Sequence, residues 1–241
     1  MIMLPKPQKY STRLASILKV SKNVYLERFI LMEPKEITFL AGQTVMLFVA
    51  PGINRSMSIA SVPAEKNAIL LVHDVAPNGP YSKWALSAKV GDPMSFMGPL
   101  GIFTLDKEST RNKVFVATGS GIAPFYAMAK SYVMDGGIGT VTLYWGLRHE
   151  EDIFWQKQFE VLGRQYPNFK FILTLSQPQN DGQGSASWRR GHVEDHIFTD
   201  GADLAGSDYY LCGSKMMTDE MRGKLKAAGV PDAQVKFELF Y

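Results

Sequence analysis

The segment Ala117-Thr118-Gly119-Ser120-Gly121-Ile122-Ala123-Pro124 follows the apolar run Val114–Thr118 and leads into a helical pattern. Small residues at such a turn let backbone N–H groups approach a pyrophosphate closely, and the positive end of the following helix favours the anion. Pro124 suits the first helical turn, where a missing N–H costs nothing. Arg55-Ser56-Met57-Ser58 sets a guanidinium beside hydroxyls, a combination that neutralises a phosphate while a serine donates to a ring nitrogen. Gly79-Pro80-Tyr81-Ser82 opens the one helical stretch of the first half, so its free N–H groups form a second anion site. Tyr210-Leu211-Cys212-Gly213-Ser214 ends an apolar strand on a thiol and a glycine, and Phe237-Glu238-Leu239-Phe240-Tyr241 closes on two aromatics. Taken singly, these read equally as a tight turn, a polar edge strand and a buried structural cysteine.

The elements that must position these groups fall into two rhythms. Short apolar runs suit strands at Ala15–Val20, Tyr25–Leu31, Thr44–Val49, Met57–Ala60, Ile69–His73 and Pro93–Met97, with turn residues between them and one helix at Tyr81–Lys89. Strands at this spacing predict a small antiparallel barrel or sandwich. From Lys113 onward strands alternate with helices: Val114–Thr118, a helix from Ala123 to Met134, then Val141–Trp145. A helix opening on Glu150-Glu151-Asp152 and burying Phe154, Phe159 and Leu162 follows, then Phe169–Leu175 and Tyr209–Cys212. Met217, Met221 and Leu225 mark the last helix, which stops at Gly229 and Pro231 before Val235–Phe240. Such alternation predicts a parallel sheet with crossover helices. The expected fold is therefore α+β in two domains, residues 1–108 and 109–241, joined through the charged segment Asp106–Lys113.

Composition narrows the chemistry. With 46% hydrophobic, 20% charged and 12% aromatic residues over 241 positions, the chain reads as globular and long enough for two cores. Net charge is +3 with scattered basic residues, so no nucleic-acid-tracking stripe is expected. The single cysteine, Cys212, cannot supply the thiolates of an iron–sulfur cluster or a cysteine-rich zinc site. Of four histidines only His192 and His196 are close, and they follow Arg189-Arg190-Gly191, which reads as a strand entry; no metal site is expected there. No run of about 18 apolar residues appears and Met1–Pro7 lacks the core of a signal peptide, so a cytoplasmic location is the expectation.

Together the five segments resemble, in order and spacing, the ferredoxin–NADP reductase superfamily over nearly the whole chain. That pattern is Arg-x-Tyr-Ser/Thr, Gly-x-x-Ser/Thr, Gly-Thr-Gly-Ile-Ala-Pro, Cys-Gly and a terminal Glu-x-aromatic. Gly98-Pro99-Leu100-Gly101-Ile102-Phe103 is similar to the loop closing the family's barrel, and Tyr144-Trp145-Gly146-Leu147-Arg148 to its second nucleotide strand. The resemblance implies a flavoprotein that takes hydride from NADH or NADPH onto FAD, with FMN as the alternative. Arg55 and Ser56 would then hold the flavin phosphates, Ser58 would bond flavin N5, and Val72, His73 and Asp74 would line the flavin. Gly79, Tyr81 and Ser82 would bind its pyrophosphate. Thr118, Gly119, Ser120, Gly121 and Pro124 would cradle the nicotinamide dinucleotide. Cys212, Gly213 and Glu238 would surround the nicotinamide, and Phe240 or Tyr241 would cover the flavin. Hydride transfer needs positioning more than acids or bases, which accords with motifs built from small residues and backbone donors. Cys212 is accordingly not expected to act as a nucleophile.

Two departures stand out. Met57 occupies the family's tyrosine position, where its thioether would contact the flavin ring. Ser176-Gln177 stands where NADPH users show Ser-Arg, which favours NADH, with Arg148, Arg189 and Arg190 as alternative partners for a 2′-phosphate. The leading expectation is a reductase handing electrons to a separate iron–sulfur, haem or flavodoxin-like protein. The alternatives are a reductase of diffusible flavin and a non-catalytic electron-transfer subunit.

Overall fold

A computed structural model describes residues 5–179, 187–201 and 203–239. The chain divides into two compact units, Met1–Leu105 with Tyr126–Ser131, and Asp106–Phe125 with Tyr132–Tyr241.

In the first unit six strands form one antiparallel sheet: β1 (Gln8–Lys19), β2 (Val24–Glu33), β3 (Thr44–Ala50), β4 (Ile53–Ser58), β5 (Ala68–Asp74) and β6 (Pro93–Leu100). Their order is β4-β3-β6-β1-β2-β5. The two edges approach each other through Ala60 N–H donating to Leu70 O at 2.8 Å, while Ile59 N–H bonds Gln43 O at 2.9 Å. Closing a sheet in this way removes the exposed edges that otherwise invite mispairing. Alternation drives the curl: Tyr10 and Leu14 of β1, Phe29 and Leu31 of β2, Val45 and Leu47 of β3, and Phe96 of β6 all point into one core. Each such large side chain contributes about 1.5–3 kcal/mol on burial. One helix, α1 (Pro80–Ser87), caps the core with Tyr81 and Ala85.

Strand β1 starts seven residues earlier than the expected Ala15. Its first half alternates outward Lys9, Ser11 and Arg13 with inward Tyr10, Thr12 and Leu14, a half-buried pattern that the search for apolar runs passes over. Strand β4 likewise lies at Ile53–Ser58 and not at Met57–Ala60, because four of its six residues are exposed.

In the second unit β7 (Asn112–Thr118), β8 (Val141–Leu147), β9 (Phe169–Leu175), β10 (Arg189–Arg190), β11 (Ser207–Gly213) and β12 (Val235–Leu239) form a parallel sheet. The order is β10-β9-β8-β7-β11-β12, so the winding reverses between β7 and β11. The helices that follow these strands are α2 (Ala123–Met134), whose residues Tyr126–Ser131 group with the first unit, α3 (Gln156–Gln165), α4 (Val193–Ile197) and α5 (Lys215–Ala227). Met217, Met221 and Leu225 of α5 and Val193 and Ile197 of α4 bury against Val114, Val116, Tyr144, Tyr209 and Leu211 of the strands.

One local expectation is corrected, and two are filled in. Glu150–Asp152 forms its own 3-10 turn, and α3 begins only at Gln156. Asp152 accepts from His149 N–H at 3.1 Å, and Trp155 adopts φ +55°, so the acidic residues cap the turn rather than the helix. The strand entry at Arg189 lasts two residues; His192 caps α4, and His196 Nε2 bonds Arg190 O at 3.0 Å. The charged segment at 106–113 is bolted down. Lys113 is fully buried, and its Nζ donates to Asp208 Oδ2 at 2.8 Å, Arg111 O at 2.9 Å and Ser109 O at 3.0 Å. A buried ammonium is tolerated only with partners of this kind.

Candidate functional site

The first unit gathers its chemistry where β4 meets the start of α1. Edge strand β4 carries Arg55 and Ser56 exposed, while Met57 and Ser58 turn inward and are buried. Gly79 caps α1 with extended backbone, Pro80 follows at the first helical position, and among the described residues no side-chain cap bond is made at this terminus. A Cβ placed on Gly79 would stand 3.1 Å from Arg55 Nη2. The guanidinium thus stands beside the uncapped helix N-terminus, at a place where a side chain at 79 would press on it. A cation beside free N–H groups and a helix dipole suits a phosphate.

Inside the barrel lies a polar cluster. Glu27 of β2 is fully buried, its Oε1 lying 2.9 Å from His73 Nδ1 while its Oε2 accepts from the Tyr81 hydroxyl. His73 Nε2 lies 3.2 Å from Ser82 Oγ, and the His73 ring stacks on Tyr81 with centroids 4.3 Å apart. The side chains of His73, Tyr81 and Ser82 are therefore committed to one another and to Glu27. What the first turn of α1 offers an anion is its backbone. Val72 is buried and Asp74 half-buried, its Oδ1 accepting from Ala76 N–H at 2.9 Å. Met57 belongs to the barrel core with Val45, Ile59 and Tyr81.

The second unit places its motifs at the reversal of winding between β7 and β11, the position where open α/β sheets bind ligands beyond their strand ends. Gly119–Ile122 is a 3-10 turn with Gly119 at φ +55°, followed directly by α2 with Pro124 in its first turn. Trp145 of β8 holds the turn, its Nε1 donating to Gly119 O at 2.9 Å. Two glycines let the turn and the end of β11 interlock. A Cβ on Gly121 would fall 2.3 Å from Cys212 O, and one on Gly213, at φ +151°, would fall 2.2 Å from Thr118 Oγ1. Ser214 N–H donates to Thr118 Oγ1 at 3.0 Å, and Ser214 Oγ accepts from Met217 N–H to cap α5. Thr118, Gly121, Cys212 and Gly213, far apart in sequence, are one backbone unit.

Cys212 is fully buried, paired in register with Ala117 on one side and Glu238 on the other. Burial first, and the Glu238 charge second, push its thiol well above its ordinary value of 9.0. A thiol so held stays protonated and is inert as a nucleophile. Past β8 and β9 the chain stays paired: Ser176 N–H bonds Leu147 O at 3.0 Å, Gln177 N–H bonds Arg148 O at 2.9 Å, and His149 Nδ1 donates to Gln177 O at 2.5 Å. Arg148 and Gln177 are both exposed on this extension, with Ser176 half-buried. Phe240 and Tyr241 lie outside the described residues.

Glu27 and Trp145 were not among the expected site residues. Glu27 shares the inward register of Phe29 and Leu31, so an acidic residue at an apolar beat of β2 was the available signal. For Trp145 the sequence signals only a buried aromatic.

Two family models match the chain in succession, an oxidoreductase FAD-binding domain at residues 11–105 and an oxidoreductase NAD-binding domain at 115–222. The toluate 1,2-dioxygenase electron transfer component of Pseudomonas putida is 32% identical over 208 residues, which is 85% of this chain and 60% of that protein. The reductase component of propane 2-monooxygenase from Rhodococcus jostii is 27% identical over 97% of this chain and 64% of its own length. The chain thus spans about three fifths of the length of these two relatives. Ferredoxin–NADP reductase B of Sorangium cellulosum is 29% identical over 97% of this chain and 98% of its own. Among solved structures, the Amycolatopsis cytochrome P450 reductase superposes on all of this chain and 72% of that one, with a TM-score of 0.89 at 23% identity. With these matches following the fold and the motifs in order, the chain belongs to the ferredoxin–NADP reductase superfamily of FAD- and NAD-binding oxidoreductases.

Proposed function

We propose that the chain is a reductase that accepts two electrons from NAD(P)H on FAD and passes them on to a separate redox protein. FAD supplies the chemistry that links a two-electron donor to one-electron acceptors. The residues of this chain supply the binding and orientation. In residues 1–108, Arg55 and the first N–H groups of α1 hold the flavin phosphates, while Ser58, Val72 and Met57 shape the ring's surroundings. In residues 109–241, the Gly119–Gly121 turn, Thr118 and Pro124 hold the dinucleotide pyrophosphate. Cys212, Gly213 and Glu238 close the end of the sheet beside the nicotinamide, the buried thiol supporting the strand end from within. Gln177, uncharged and exposed beside Arg148, favours NADH over NADPH because it offers a 2′-phosphate no charge of its own.

The observation that carries this reading is the pair of prepared anion sites, Arg55 against the uncapped Gly79 terminus and the Gly121 turn locked on Cys212-Gly213. Relatives named as electron transfer components of dioxygenase and monooxygenase systems support an oxygenase-type acceptor. One cysteine cannot ligate a four-thiolate cluster within these residues, so an iron–sulfur acceptor would bring its own. A cytoplasmic site of action fits the reading; among the described residues no helix is long and apolar enough to cross a membrane. Gel filtration of the purified protein tests the flavin assignment. Co-elution of FAD supports a resident cofactor, and complete loss of flavin would point to a diffusible one.

A further inference from the structure

We propose that Glu27 is a positioning residue for the flavin phosphate, acting through Tyr81 and His73 on the first turn of α1. The inference rests on the flavin reading above and concerns a group to which that reading gives no part.

A fully buried carboxylate is costly, and an apolar residue of similar size would fill the same space with as much stability. The carboxylate spends both oxygens on α1 or its support. Oε2 accepts directly from Tyr81, the second residue of the helix. Oε1 meets His73 Nδ1, whose other nitrogen meets Ser82 Oγ, the third residue of the helix. His73 thus bridges the carboxylate at Nδ1 and the Ser82 hydroxyl at Nε2. Burial and the neighbouring Glu27 push the Tyr81 hydroxyl well above its ordinary 10.0, so it stays a donor. Strands β2 and β5 thereby grip consecutive residues of a helical turn that lacks any side-chain cap. The turn begins at Gly79, against Arg55 Nη2. A grip at that point sets where the free N–H groups aim relative to the guanidinium. Hydrogen bonds to an anion are sensitive to displacements of about 0.5 Å, so the grip is read out as phosphate affinity.

The test is equilibrium binding of riboflavin, FMN and FAD to the flavin-stripped full chain, followed by flavin fluorescence, with circular dichroism as the check of fold. Tyr81→Phe removes one oxygen and keeps the ring stack; it is expected to weaken FMN and FAD about 10-fold and riboflavin less than about 2-fold. Glu27→Gln keeps a hydrogen-bonding atom facing both Tyr81 and His73, and is expected to stay within about 3-fold of the parent for all three. Glu27→Leu is expected to lose the preference for FMN over riboflavin; should it not fold, Tyr81→Phe carries the comparison alone. An unchanged preference in Tyr81→Phe, or equal weakening of all three flavins, would overturn the positioning role. A parent protein that binds riboflavin as tightly as FMN would instead overturn the phosphate site itself, a distinct outcome.

Discussion

Gly121→Ala is the most direct probe of the interlock between the Gly119–Ile122 turn and the end of β11. An added Cβ would lie 2.3 Å from Cys212 O, 2.7 Å from Cys212 C and 2.7 Å from Gly213 Cα. All three obstacles are backbone, in a central strand bonded on both sides, so no rotamer change relieves the overlap. Gly121 does not need a left-handed conformation, which makes the penalty purely steric. Overpacking costs about 1–3 kcal/mol, and an obstacle that cannot rotate away places this case near about 3 kcal/mol. At about 2–4 °C per kcal/mol, the expected fall in melting temperature is about 6–12 °C. The turn must also move outward from β11, so its N–H groups lose their aim and NADH binding weakens about 10-fold or more. Calorimetry gives the first number and equilibrium titration with NAD⁺ or NADH the second. A variant that melts within about 1 °C of the parent and binds dinucleotide normally would refute the interlock.

Other consequences follow from single features. Lys113→Met leaves buried Asp208 with the Ser109 hydroxyl and, 3.7 Å away, Arg111, and is expected to destabilise the protein by about 3 kcal/mol in urea unfolding. Gln177→Arg adds a cation beside Arg148 and is expected to raise kcat/KM for NADPH relative to NADH about 10- to 100-fold, read by steady-state kinetics. Burial raises the Cys212 thiol above 9.0 and the Tyr209 hydroxyl from 10.0 to about 12, so the folded state holds these protons more tightly than the unfolded chain. Their stabilisation is complete below pH 9 and is lost as pH climbs towards 12. Melting temperature is thus expected to fall progressively above pH 9, and the buried thiol to resist iodoacetamide at pH 8 until the protein is unfolded.

The second unit was the more legible in sequence. Parallel strands buried on both faces announce themselves as apolar runs, so Val114–Thr118, Phe169–Leu175 and the stretch ending at Cys212 stand out, and turn glycines mark their ends. The barrel gave less away, because strands with one wet face carry residues such as Lys9, Arg13 and Asn54 at every second or neighbouring place. The motif residues were visible by type and spacing, but their partnerships were not. Nothing in the order of residues says that Gly121 must touch Cys212 or that Gly79 faces Arg55. Long-range register brings these together, and it depends on which strands pair. The commitment of His73, Tyr81 and Ser82 to Glu27 was hidden for the same reason. The Glu150–Asp152 turn misled because acidic residues complement a 3-10 turn as well as a helix N-terminus.

Anaerobic titration of the FAD-loaded protein with NADH, recording the flavin absorbance, tests electron transfer onto the flavin most directly. One equivalent of NADH should bleach one equivalent of flavin, and admitted oxidant or acceptor protein should restore the colour. Flavin that remains oxidised under excess NADH and NADPH would contradict the assignment.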